Sequence, residues 1–285
     1  MVIIIPVNEI GHPVMGMIDI LEPSQKWSAG DFFSRATSLI PEIWNRGKIP
    51  LVVGGSTLYI RTLTRGFCQA PPAEPAVRER LYHLAGNYGV EYLYRKLTGI
   101  DPEITRIIHP SNLQRIIRAL EVFLVSGVPF SVWQKRTEGL PWEKRMFGLF
   151  WDRKELYRRI DQRVERMIER GLVGETRKIL DGKEGLTRFP ALKGLGYRQA
   201  AGYLQGQYGY SEMVRLIKRD TRRYAKRQYT WWRKEGNVCW IKMDGKSIED
   251  AARHILENLS QHGLLNPYFS TELKNMPARP SPFEM

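Results

Sequence analysis

Ile49-Pro-Leu-Val-Val-Gly-Gly-Ser-Thr-Leu-Tyr59 is the stretch that decides the fold. The apolar run to Val53 reads as a buried strand, Gly54-Gly55 as a turn, and Thr57 to Leu63 as a new helix. Upstream, Met17-Ile-Asp-Ile-Leu21 reads as a second short buried strand. Between them, Ser28 and Asp31 form an S-x-x-D helix start. Phe33, Ala36, Ile40, Ile43 and Trp44 then recur at helical spacing until Gly47. Strand, helix, strand, glycine turn, helix predicts an α/β core with a parallel sheet whose faces are covered.

The pattern changes after Pro71-Pro72. From Val77 to about Gln134 only helical periodicity is present, broken at Gly86, Gly99, Pro110 and Gly127. A strand returns at Met146–Trp151, and helices follow over Glu155–Arg170, Val173–Leu180 and Tyr197–Leu204. Val238–Lys242 is a late strand and Ile248–Leu259 a closing helix. The expected organisation is an α/β core over 1–72 and 143–262 with an all-helical insertion over 73–142. The Pro-punctuated segment 263–285 is expected to be a disordered tail.

A chain of 285 residues is long enough for one large domain or two smaller ones. Its formal charge of +14 and pI near 9.8 point to phosphate-bearing partners. No apolar run approaches the ~20 residues that span a bilayer. The amino terminus lacks the basic n-region of a signal peptide. Cys68 and Cys239 have no Cys or His at ligand spacing, which argues against structural zinc and fits a reducing cytoplasm. The five histidines are scattered and read as surface or core residues.

Half of the net charge sits in one element. Arg215, Lys218, Arg219, Arg222, Arg223, Lys226 and Arg227 recur at i, i+3, i+4, i+7, i+8, i+11, i+12, one face of a helix. Val214, Ile217, Thr221, Tyr224 and Trp231 occupy the other face, which is expected to dock on a core. A rod of one sign, about 30 Å long for twenty residues, suits a polyanion backbone. The alternative is a solvated face. Tyr224, Tyr229, Trp231 and Trp232 interleave with the cations, as expected where bases stack; Trp231 reads as core and Trp232 as exposed.

Three shorter runs carry further candidates. Gly54-Gly55-Ser56 at a helix start is either an anion site with Ser56 as hydroxyl donor or a plain turn. In His109-Pro-Ser-Asn-Leu-Gln-Arg-Ile-Ile-Arg-Ala-Leu-Glu121, the residues Gln114, Arg115 and Arg118 lie on a helix whose buried stripe is Leu113, Ile116, Ile117 and Leu120. Arg118 either binds a ligand or pairs with Glu121, its i+3 neighbour. In Lys193-Gly-Leu-Gly-Tyr-Arg198, Arg198 stands in a first helical turn against the dipole, which calls for an anionic partner.

Together these runs resemble the tRNA dimethylallyltransferase (tRNA isopentenyltransferase) family. The matching segments are Asp19–Pro23, Ile49–Tyr59, His109–Arg115 with Arg118–Glu121, Gly194–Arg198 and Arg222–Trp231. The resemblance implies a P-loop-kinase-like parallel-sheet core with a helical insertion that grips the anticodon stem-loop of tRNA. It implies transfer of a dimethylallyl group from dimethylallyl diphosphate to the exocyclic amine of the adenosine 3′ of the anticodon, with Mg²⁺. By the same resemblance Ser56, Arg78, Gln114, Arg115, Arg118, Lys193, Gly196, Tyr197, Lys226, Arg227, Gln228, Trp232 and Arg233 contact tRNA. Arg198 is assigned to the donor diphosphate.

The family's Gly-x-Thr-x-x-Gly-Lys-Ser/Thr phosphate loop and its Asp general base have no counterpart upstream of Asp19, and Met15-Gly16 stand where two histidines are usual. No catalytic residue or metal ligand is therefore assigned, and Asp19 reads as strand-end structure. The expectation is a monomeric family member lacking its first β-α unit, able to hold tRNA and impaired in turnover. A gene fragment or misassigned start, a non-catalytic RNA-binding remnant and an enzyme completed by a second chain all fit. An adenylate prenyltransferase fits less well, because a free nucleotide needs no long basic helix.

Overall fold

The computed structural model describes residues 3–5, 16–137, 139–180 and 189–264; the expected tail lies outside them except for 263 and 264. The chain is mixed α/β, mostly helical, with a small parallel sheet. It divides into two units, each described by itself: one built on Trp27–Trp142 with the strand Ile3–Ile5, the other on Glu143 onward with Asp19–Lys26.

In the first unit, β1 (Ile3–Ile5) pairs antiparallel with β2 (Leu51–Val53). The apolar run at 51–53 is therefore not a strand of a parallel sheet. It alternates: Val52 packs inward, while Leu51 and Val53 stay exposed. Met17–Leu21 forms no strand. Asp19 takes a φ of 54°, which breaks an extended run, and Ile20 and Leu21 remain exposed without a hydrogen-bonded neighbour strand. Helix α1 (Ala29–Asn45) begins as read, with Ser28 and Asp31 in a reciprocal capping box, and buries Phe32, Ala36, Ile40 and Ile43. Phe32 stacks on Tyr59 of α2 (Thr57–Arg65) at 4.8 Å between ring centroids.

Five further helices complete this unit: α3 (Pro75–Tyr88), α4 (Val90–Ile100), α5 (Pro102–Thr105), α6 (Leu113–Ser126) and α7 (Phe130–Lys135). Gly86 and Gly99 lie inside α3 and α4. The breaks fall instead at Gly89, whose φ of 81° needs glycine, and at Asp101. Asp101 is buried because it caps twice, accepting from the Ile104 amide at 3.1 Å and the Ser131 amide at 2.8 Å. The core here is Leu81, Leu93, Leu97, Ile104, Ile116, Ile117 and Leu120; each such side chain contributes roughly 1.5–3 kcal/mol when fully buried.

In the second unit, β3 (Met146–Phe150) and β4 (Val238–Lys242) form the parallel pair, with Gly148 opposite Trp240. Helices α8 (Arg153–Glu169), α9 (Leu172–Leu180), α10 (Tyr197–Leu204), α11 (Tyr210–Trp232) and α12 (Ile248–Gln261) accompany them. Ile160, Val164, Leu172, Ala200, Met213 and Ile217 make the cluster that joins α8 to α11. Among the described residues no helix is long and apolar enough to cross a membrane.

Candidate nucleic-acid interface

Helix α11 has the amphipathic form that its periodicity demands, with Met213 and Ile217 buried. Its charge is organised differently from the single-sign rod expected. Arg215 is bound by Glu212 of the same helix at 2.5 Å. Lys218 reaches Glu165 of α8 at 2.5 Å, and Arg222 makes a two-pronged pair with Asp161, also of α8. Arg219 and Arg223 both approach Asp220. The acids of α8 stand 53 and 61 residues away in sequence, so no local spacing rule reports them. The first half of the stripe is paired. The second half is not: Lys226, Arg227, Arg233 and Lys234 have no carboxylate partner among the described residues.

That free end is also aromatic. Arg227 lies over the Tyr224 ring and Arg233 over the Tyr229 ring, at 5.7 and 5.9 Å. Tyr224 is exposed rather than docked on the core, and its neighbour Ala225 is the residue that packs against the cluster. Trp231 and Trp232 are both half-buried and meet edge to face at 4.7 Å, so the expected core-versus-exposed division between them does not hold. Gln228 is half-buried. A shallow depression is lined by Arg223, Lys226, Arg227, Thr230, Trp231 and Lys234. Cations spaced along about two helical turns beside flat rings can hold phosphates and stack bases.

The Lys193–Arg198 turn belongs to the same unit. Lys193 ends a 3₁₀ turn and is exposed. Gly196 has a φ of 93°, reserved to glycine, and its amide is held by Gln199 Oε1 at 3.0 Å. Tyr197 donates its hydroxyl to Glu175 at 2.8 Å. Burial and that bond push its phenol up to about 12. Arg198 is well exposed, and the anion nearest it is Asp220 at 3.5 Å.

The remaining candidates lie in the first unit. Ser56 is the N-cap residue of α2 and makes no side-chain capping bond. Gln114 and Arg115 are exposed on the first turn of α6, which Asn112 caps through the Arg115 amide. Arg78 and Arg118 are brought together by Glu121, which is fully buried and accepts from Arg78 at 2.7 Å, Arg118 at 2.9 Å and the Glu74 amide at 2.9 Å. Arg118 also donates to the Pro71 carbonyl at 2.6 Å. Of the two readings of Arg118, its pairing with Glu121 is present.

Reading the sequence alone missed Asp161, Glu165 and Gln199, whose partners on the basic helix are distant in sequence, and the hub role of Asp220, which joins Arg219 and Arg223 of its own helix to the distant Arg198 and Gln199. It also passed over Gly245-Lys246-Ser247, a Gly-Lys-Ser triplet after β4. That triplet lacks the upstream glycine and threonine of a phosphate loop. Its Ser247 is engaged by the Asp250 carboxylate through both amide and hydroxyl, which sets a negative charge where phosphate would sit. Among the described residues no group of three His, Cys, Asp or Glu is placed to hold a metal ion. Those residues do not fit a resident Mg²⁺ cage.

The family model described as IPP transferase matches residues 9–235. The tRNA dimethylallyltransferase of Syntrophobacter fumaroxidans is 42% identical over 79% of this chain and 66% of its own length. The tRNA dimethylallyltransferase 1 of Citrifermentans bemidjiense is 41% identical over 86% of this chain and 78% of its own length. The solved full-length tRNA isopentenylpyrophosphate transferase of Bacillus halodurans superposes with a TM-score of 0.59 at 35% identity, covering 91% of this chain and 80% of that one. A eukaryotic dimethylallyltransferase solved acting on tRNA shares the fold, with a TM-score of 0.67 at 22% identity over 85% of this chain and 64% of its own. On the matched residues and these identities, the chain belongs to the IPP transferase family.

Proposed function

We propose that this chain serves the transfer of a dimethylallyl group from dimethylallyl diphosphate to the exocyclic amine of the adenosine 3′ of the anticodon in tRNA. In that reaction the amine nitrogen forms a bond to the allylic carbon, the carbon–oxygen bond to diphosphate breaks, and the amine loses a proton. The residues described here bind and orient. Lys226, Arg227, Arg233 and the Lys193–Tyr197 turn hold the anticodon stem-loop by its phosphates, with Trp232 and Gln228 beside them. Ser56, Arg78, Gln114, Arg115 and Arg118 are assigned to the same RNA, and Arg198 to phosphate. The observation that carries this reading is a free basic and aromatic helix end inside a family match over residues 9–235.

No side chain is assigned to proton removal, and no step is assigned to Mg²⁺, which we expect to accompany the donor diphosphate. The organisation proposed is an α/β core over 1–72 and 143–262 with a helical insertion over 73–142, acting as a monomer in the cytoplasm. Because the 285 residues contain no full phosphate loop, turnover by this chain alone is expected to be low. The test is incubation with labelled dimethylallyl diphosphate, Mg²⁺ and unmodified tRNA, beside tRNA binding at several salt concentrations. Four cations without a carboxylate partner among the described residues predict a log–log salt slope of about −2.8 to −3.6, at roughly 0.7–0.9 per phosphate contact. Binding without label supports a holding role with the donor activated elsewhere. A slope near zero removes the RNA-binding reading.

A second reading, an RNA-binding remnant without chemistry, is favoured by the missing phosphate loop alone. It predicts equal affinity for unrelated RNA hairpins and for anticodon arms.

A further inference from the structure

Asp220 lies in the middle of the basic helix and gathers more charge than it can neutralise. One carboxylate oxygen accepts from Arg219 at 2.8 Å and lies 3.7 Å from Arg223; the other lies 3.5 Å from Arg198. That second oxygen also accepts from the Gln199 side-chain amide at 2.9 Å. Gln199 is itself buried, at 3% exposure, and its carbonyl oxygen holds the Gly196 amide. A single buried amide thus ties the glycine turn of 194–197 to the one carboxylate around which three arginines meet. Nearby, Glu212 and Arg215 cancel each other, and the Tyr208 hydroxyl is spent on the Gln199 backbone carbonyl.

The other ion pairs of the helix match one acid to one base. Here three guanidinium groups face one carboxylate, an excess of two positive charges. Arg198 and Arg223 keep about three-fifths of their side-chain surface in solvent, while Asp220 keeps 15%. A carboxylate placed beneath exposed arginines cannot raise affinity for an anion through its own charge. It can fix the forks, whose side chains otherwise lose rotamer freedom on binding, in a geometry that accepts a planar or tetrahedral oxyanion in several bonds.

We propose that Arg198, Arg219 and Arg223 form one phosphoryl-binding site, with Asp220 and Gln199 as its positioning residues. The inference rests on the proposed function and deepens it. The phosphoryl group is either a backbone phosphate of tRNA or the diphosphate of the donor.

The test uses the full chain as wild type, Asp220→Asn, Asp220→Glu and Glu165→Gln, with tRNA and inorganic diphosphate as separate probes. Asp220→Asn and Glu165→Gln each remove one negative charge from the surroundings of the basic helix, and Glu165 touches Lys218 rather than this cluster. Charge alone predicts that both variants tighten anion binding. Positioning predicts that Asp220→Asn weakens it about three- to tenfold against the sign of its charge change, while Glu165→Gln does not weaken it. The probe that weakens names the source of the phosphoryl group. Should Asp220→Asn fail to fold, Asp220→Glu keeps the charge and moves the carboxylate by one methylene. Several-fold weaker binding with unchanged thermal unfolding then supports the site, and unchanged binding overturns it. Tightening by Asp220→Asn in a wild type that binds tRNA overturns this inference and leaves the proposed function standing. A wild type that binds neither probe overturns both.

Discussion

The Glu121 carboxylate accepts from Arg78 at 2.7 Å across 43 residues of sequence, with no part of Glu121 in solvent. Burial alone would raise its pKa. The bonds from Arg118, Arg78 and the Glu74 amide outweigh that and hold it below the ordinary carboxylate range. Glu121→Gln leaves two arginines without their counter-charge, and breaking a buried pair costs ~3–5 kcal/mol. Because both arginines reach solvent, the expected loss is about 1–3 kcal/mol in urea unfolding. The wild-type stabilisation is present above the unfolded carboxyl value and is lost as pH falls through the depressed folded one. The acid limb of the stability curve should therefore flatten in Glu121→Gln, and an unchanged limb would contradict the pairing.

Tyr197 should be among the last tyrosines to ionise. A phenol raised to about 12 favours its neutral form in the folded chain, so its contribution to stability is complete below about pH 10 and disappears as pH rises through 12. The ultraviolet difference titration of wild type against Tyr197→Phe should show one midpoint near 12. In Glu175→Gln that midpoint should move down, because the carboxylate acceptor is gone. A Tyr197 midpoint near 10 would mean that the bond to Glu175 is not formed.

Gly148 has no room for a methyl group. A Cβ there would meet the Trp240 ring at 2.6 Å and Val238 Cγ1 at 3.0 Å. Trp240 also packs against Phe150 and Tyr229. Gly148→Ala must displace the indole from the parallel pair, at a cost of roughly 1–3 kcal/mol. Near-ultraviolet circular dichroism should change together with the unfolding midpoint. A stable variant with an unaltered aromatic spectrum would show that the ring is not packed over this glycine.

What the sequence made legible was local. Ser28 and Asp31 mark a helix start because both halves of a capping box lie within four residues, and Tyr197–Leu204 begins and ends where its glycine turn and apolar spacing place it. Ile49–Val53 misled because a short apolar run looks the same in a buried parallel strand and in a two-stranded ribbon with one face open. The partner of Met146–Phe150 enters the chain only at Val238. Charge suffered most: seven cations at helical spacing look uncompensated until α8 brings Asp161 and Glu165 against them. Arg118 with Glu121 was readable at i+3, whereas the arrival of Arg78 at the same carboxylate was not.

That pairing separates Arg222, matched one to one with an acid of α8, from the helix end at Lys226 and Arg227, which has no carboxylate partner among the described residues, and two substitutions distinguish them. Arg222 is bound to Asp161, so Arg222→Gln should cost a few tenths to ~1 kcal/mol of stability and leave tRNA affinity nearly unchanged. Arg227 has an aromatic ring beneath it and no carboxylate partner among the described residues. Arg227→Glu should weaken binding of all tRNAs alike, about tenfold or more, and reduce the salt slope by about one or slightly more. The two positions differ by the presence of an acid and not by the residue type, and Arg227→Gln, which removes the same single charge as Arg222→Gln, should still weaken binding severalfold, so total charge does not produce the contrast. Equal reductions of the salt slope by Arg222→Gln and Arg227→Glu would mean that RNA strips Arg222 from Asp161. The whole face, rather than its free end, would then be the interface.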